Sequence, residues 1–112
     1  MATGTYKRGL DHLRAGRFFE AHEELELAWR AAPAGERDFY QGLVHVAVAW
    51  YQAGRGKPVA TASQLRKALR RLEAYEPDHL GVHVAAVRRR LVEALETVES
   101  GSLELGPSPT AR

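Results

Sequence analysis

The chain has no cysteine, no asparagine and no methionine after its first residue. Without cysteine there is neither a disulfide framework nor a thiolate metal site. Lysine is scarce as well, three residues against thirteen arginines. Loss of heat-labile residues fits a thermophile, while a GC-rich genome accounts for the arginines equally well. No apolar run reaches the roughly 20 residues a membrane span needs. The opening MATGTYKRGL lacks the apolar core of a secretory signal, so a cytoplasmic location is expected. The sequence pI is near 9.2, but the net charge is only +2, a weak field for attracting nucleic acid. No stretch alternates apolar and polar residues as a half-buried strand does.

What is present is a globular composition: 112 residues, 45% hydrophobic and 27% charged, enough for one domain with a real core. Residues 39–54 read FYQGLVHVAVAWYQAG, without one Asp, Glu, Lys or Arg. Phe39, Leu43, Val46 and Trp50 recur at helical spacing, and Gly42, Ala47 and Ala49 widen the stripe. A helix apolar around most of its girth is buried, so a hub helix over about 36–53 is expected, with Glu36 and Asp38 in its first turn.

The remaining stripes are narrower. Tyr6, Leu10 and Leu13 predict a helix over about 4–15, with Thr3 as N-cap and Gly16 stopping it at a positive φ. Phe18, His22, Leu25 and Trp29 share one face of a second helix, Phe18–Ala31, ended by Pro33 and Gly35. Pro58 suits a first helical position and opens a fourth helix with the stripe Ala62, Leu65, Leu69 and Leu72. A fifth follows Gly81, with Val84, Val87, Leu91, Leu95 and Val98. The expected fold is all-α: a compact bundle of about five antiparallel helices joined by short loops. Ala15-Gly16-Arg17 returns as Ala53-Gly54-Arg55, 38 residues on, a faint tetratricopeptide-like echo of two αα-hairpins. Residues 1–100 form the domain. Residues 101–112, rich in Pro, Ser and Gly, are expected to be a flexible tail.

The stretch FFEAHEELELAWR, residues 18–30, carries the chemistry. His22 and Glu26 are four apart and project from one face, Glu23 stands beside His22, and Trp29 lies a turn further on. A His on the packed stripe with a Glu one turn away is unusual placement, since buried charge needs a partner. This pattern resembles the DUF309 family, small helical bacterial and archaeal proteins of unknown function, recognised by a His-x-x-x-Glu-x-x-Trp/Tyr motif. His22, Glu26 and Trp29 match it; Phe18, Glu20 and Ala21 match the family's approach to the His. Gln41-Gly42-Leu43 lies in a stretch similar to its second characteristic block. The resemblance covers about residues 5–80. It implies an all-helical fold and a metal-binding motif, and no established reaction.

One His and one carboxylate are two ligands, where a catalytic zinc has three protein ligands and a water. A third would come from Glu23 or from His45, which shares with Gln41, Val48 and Gln52 the one polar strip of the hub. The ion would be divalent, Zn²⁺ or Mn²⁺. Trp29, Tyr40 and Gln41, with Tyr51, are the candidate walls of an adjacent small-ligand pocket, although Trp29 and Trp50 also fall on the core stripes of their helices. Against the metal or ligand reading stands a non-enzymatic interaction module, in which His22 and Glu26 form a buried structural pair. Leu27, opposite Phe18, would then mark a homodimer or protein contact. Arg70-Arg71 and Arg88-Arg89-Arg90 raise nucleic acid as a third reading. Their interleaving with acids, Arg89 with Glu93 among them, suggests a solvated, ion-paired face instead. His12, His79 and His83 are expected at the surface.

Overall fold

The computed structural model describes residues 4–111. Among them are five helices and no strand: α1 (Gly4–Arg14), α2 (Phe18–Ala31), α3 (Arg37–Gly54), α4 (Pro58–Leu72) and α5 (Val84–Glu99). Short 3₁₀ turns, Ala34–Glu36 and Glu73–Tyr75, precede α3 and follow α4. The proposed N-cap, Thr3, lies outside the described residues. Each helix packs on the next, α1 on α2 through to α4 on α5, as short connections between antiparallel neighbours require. Among the described residues, no helix is long and apolar enough to cross a membrane.

The hub behaves as its composition dictates. Phe39, Leu43, Val46, Ala47 and Ala49 are fully buried, and Trp50 is nearly so. Leu25 of α2, Leu65 and Leu72 of α4 and Leu91 of α5 complete the core. Each such buried Leu, Val or Phe contributes about 1.5–3 kcal/mol. Two glycines set the helix spacing. A Cβ on Gly9 would come within 2.7 Å of Leu25 Cγ, and one on Gly42 within 2.6 Å of Leu72 Cδ2. Side chains from the neighbouring helix therefore fill the space that a methyl group would take.

The hairpin echo is real but shifted. Gly16 has φ +81°, and the N–H groups of Gly16 and Arg17 donate to the carbonyls of Leu13 and His12, the double closure of a Schellman turn. The equivalent closure on α3 is made by Gly56, φ +74°, and Lys57, onto Ala53 and Gln52. Gly54 is instead the last helical residue. The matching glycines are Gly16 and Gly56, and the repeated tripeptide marks chemistry that the second turn does not use.

Two expectations are corrected. His79 is not a plain surface residue: its Nε2 lies 2.5 Å from Glu36 Oε2, and its ring meets Phe39 at 4.6 Å and Tyr75 at 4.8 Å. Glu36 thus precedes the helix and clasps the α4–α5 loop. The second correction is residues 102–111, which lie against the bundle rather than away from it. Trp50 Nε1 donates to the Gly106 carbonyl at 3.0 Å, Leu105 packs on the core, and Ser108 and Thr110 are buried. Composition predicts a solvated segment because it counts side chains; the anchor here is a backbone carbonyl.

Candidate functional site

His22 projects from α2 toward α3, and Glu26 stands one turn further along α2. Their positions follow from the helix, since residues three and four apart stack on one face. His22 Nε2 lies 3.2 Å from Glu26 Oε2, and Arg30, one turn further on, reaches Glu26 Oε1 at 3.4 Å. The side chains of His22 and Glu26 are 33% and 34% exposed. The expected buried pair is therefore a partly solvated one, because α3 covers only one flank of His22.

Two clefts meet at His22. The first, about 280 Å³, is lined by Phe19, His22, Glu23, Glu26, Leu27 and Arg30. The second, about 210 Å³, lies between α2 and α3, with Phe19, His22, Val48, Tyr51 and Gln52 as walls. Phe19 and Tyr51 meet at 5.7 Å between ring centroids, and the Arg55 guanidinium lies 5.7 Å over the Tyr51 ring. Phe19 and Leu27 are each half exposed, and Tyr51 is 36% exposed.

The other expected site residues are dispersed. His45 turns to α4, where its Nδ1 lies 2.7 Å from Gln64 Oε1. Burial holds its pKa below the ordinary histidine value, with the Gln64 contact opposing and Lys67, Arg71 and Arg70 adding to the depression. His45 therefore does not complete a site with His22, for a stripe on a helix spans two neighbours and its ends face different ones. Tyr40 is buried, edge-on to Tyr6 at 5.2 Å and to Phe39 at 5.7 Å. Its hydroxyl pKa is raised, chiefly by burial and then by Glu36. It is core on the α1 side and lines neither cleft. Trp29 packs against the core with the Arg37 guanidinium 4.8 Å over its ring, and Gln41 lines neither cleft. Glu23 does share a cleft with the pair. Among the described residues, no three His, Cys, Asp or Glu side chains converge as a metal-holding group.

Sequence reasoning missed Phe19 and Arg30. Phe19 was legible in the same way as Leu27, as a large apolar residue off the packed stripe, and Arg30 stands at i+4 from Glu26. In the arginine runs Arg71 pairs with Asp38, Arg88 with Glu76 and Arg90 with Glu93, and Arg66, one turn before Arg70, pairs with Glu99. The partner of Glu93 is Arg90 rather than the expected Arg89.

These features define an all-α protein of consecutive antiparallel helices with a partly exposed His–Glu pair on the second. The chain belongs to the DUF309 family, described as a domain of unknown function, whose family model matches residues 6–63. The match spans α1, α2, α3 and the start of α4, and with them His22, Glu26 and Trp29. An uncharacterized protein of Aquifex aeolicus (strain VF5) is 31% identical over 88 residues, 78% of this chain and 26% of the relative. The chain thus spans about a quarter of the length of that relative. No solved structure matches the chain.

Proposed function

We propose that the chain is a helical interaction module whose working surface is the α2–α3 face around His22 and Glu26. The observation that carries this reading is the exposure of Phe19, Leu27 and Tyr51 beside the His–Glu pair. A partly solvated i, i+4 pair contributes about 0.3–0.5 kcal/mol, so stability gives little account of it, and the large apolar side chains grouped beside it leave a third to a half of their surface exposed. The surface suits a partner that lays an apolar side chain against Phe19 and Tyr51 and brings a cation to Glu23 and Glu26. That the relative carries the matching stretch within a longer chain agrees with a module that works alongside other segments. The test is photo-cross-linking from position 27 on this face, compared with position 92, an exposed valine on α5, in source cells.

A second reading, divalent metal, has one specific support. Two donors each about 2.1 Å from a tetrahedral Zn²⁺ stand about 3.4 Å apart, close to the 3.2 Å between His22 Nε2 and Glu26 Oε2. The fit is partial, with Glu23 the one further acid in that cleft, so remaining positions would fall to water or to a partner's side chain. Added Zn²⁺ or Mn²⁺ should then raise the melting temperature of the wild type and not of His22→Ala. No shift in the wild type removes this reading and leaves the first intact.

A further inference from the structure

α2 and α4 both pack antiparallel on α3, one on each side of its outward strip. That strip is Gln41, His45, Val48 and Gln52, partly buried and without Asp, Glu, Lys or Arg. On the α2 bank, Val48 and Gln52 share a cleft with Phe19, His22 and Tyr51. On the α4 bank, His45 Nδ1 lies 2.7 Å from Gln64 Oε1. Gln64 also borders an open hollow of about 630 Å³ whose lining includes Val59, Ala60 and Ser63. Val59 is 84% exposed, more than any other large apolar side chain among the described residues. Lys67 stands two turns further along α4, close enough for its charge to act on His45. Val59, Ser63 and Lys67, at i, i+4 and i+8, share one face of α4.

The two banks complement each other. On α2, Phe19 precedes Glu23 and Glu26; on α4, Val59 precedes Lys67. At the helical rise, the apolar-to-charge spacing is about 6–10 Å on α2 and about 12 Å on α4, along helices that point the same way. Among the described residues, neither Glu23 nor Lys67 has an ion pair within the chain. Resting on the reading of the α2–α3 face as the working surface, we propose that its partner is a second copy of this chain, docked about a two-fold axis parallel to α3. Val59 of each copy lies against Phe19 and Tyr51 of the other, and Lys67 of each reaches Glu23 and Glu26 of the other. An axis in this direction exchanges the two banks, so acid meets base twice and the uncharged strip meets itself. An axis across α3 would instead set the glutamates of one α2 on those of the other, which like charge opposes.

The test is sedimentation velocity of the full chain at low salt, where exposed charges are least screened. The wild type should sediment as a dimer of twice 12.4 kDa. Val59→Glu and Lys67→Glu each alter a side chain outside the core, so folding, checked by circular dichroism, is retained. Each should weaken dimerisation at least about tenfold. Lys67→Glu combined with Glu23→Lys restores opposite charges across the interface and should bring dimerisation back toward the wild-type value. Val92→Glu, on α5, should leave it unchanged. A wild type that is monomeric at every concentration reached, a dimer indifferent to Val59→Glu, or no recovery on the charge swap overturns the proposal. A monomer that still captures a different protein by cross-linking from position 27 overturns this inference alone. A monomer that captures nothing there overturns the reading of the α2–α3 face with it.

Discussion

Gly42 of α3 and Leu72 of α4 are in direct contact, and a Cβ at position 42 would come within 2.7 Å of both Leu72 Cγ and Cδ2 and within 3.3 Å of Arg71 Cβ. Helix propensity favours alanine over glycine by about 1 kcal/mol, but overpacking a filled core costs about 1–3 kcal/mol. Leu72 is fully buried and has no room to yield, so packing wins. Gly42→Ala should lower the unfolding free energy by about 1–2 kcal/mol in a denaturant titration. Gly54→Ala, at a position with nothing within 4 Å, should be neutral or slightly stabilising. Equal effects at the two positions would refute the close approach.

His45 sets a pH dependence. Its folded pKa is depressed by burial, so below the ordinary histidine pKa the unfolded chain binds a proton that the native state resists. Stability then rises with pH across that window, since the unfolded state holds more protons there. Denaturation midpoints measured between about pH 5 and 7 should show this slope, and His45→Gln should flatten it. A variant with the wild-type slope would place the titration elsewhere.

The helices were legible because each obeys one period. The stripes of α4 and α5 and the uncharged run of α3 each name a core that the structure largely buries, whereas of the α2 stripe only Leu25 is buried, beside Ala21 and Ala28. The Gly16 turn was legible for the same local reason. What the residues could not convey was direction across the layer. His22 and His45 lie on facing helices, yet the strip that holds His45 opens toward α4 at that end and toward α2 at Gln52. Tyr40 sits on a flank of α3, and only the position of α1, set by tertiary packing, makes that flank core. The placement of residues 102–111 depends on carbonyls, which every sequence has.

Ending the chain after Leu105 should lower the melting temperature by several degrees, for it uncovers Trp50 and removes the buried Ser108–Thr110 segment. A loss of about 1 kcal/mol corresponds to roughly 4–8 °C in a domain near this size. An unchanged thermal transition would restore the flexible tail that composition predicts.

Glu26→Leu distinguishes a surface pair from a core pair. With both side chains about one-third exposed, its loss should change the unfolding free energy by no more than about 1 kcal/mol. A cost of 2–3 kcal/mol, the penalty for stranding a buried polar group, would return the motif to the scaffold.

The central claim is that the α2–α3 face around His22 and Glu26 is where the chain engages its partner. Its most direct test places a photo-cross-linking side chain at position 27 or at position 92 of the full chain, in source cells, with adducts identified by mass spectrometry. A single identified partner captured from position 27, absent from position 92 and lost when Glu23 and Glu26 are both replaced by lysine, is the predicted result. Adducts of equal yield from both positions, or capture from position 27 that survives the charge reversal, would contradict it.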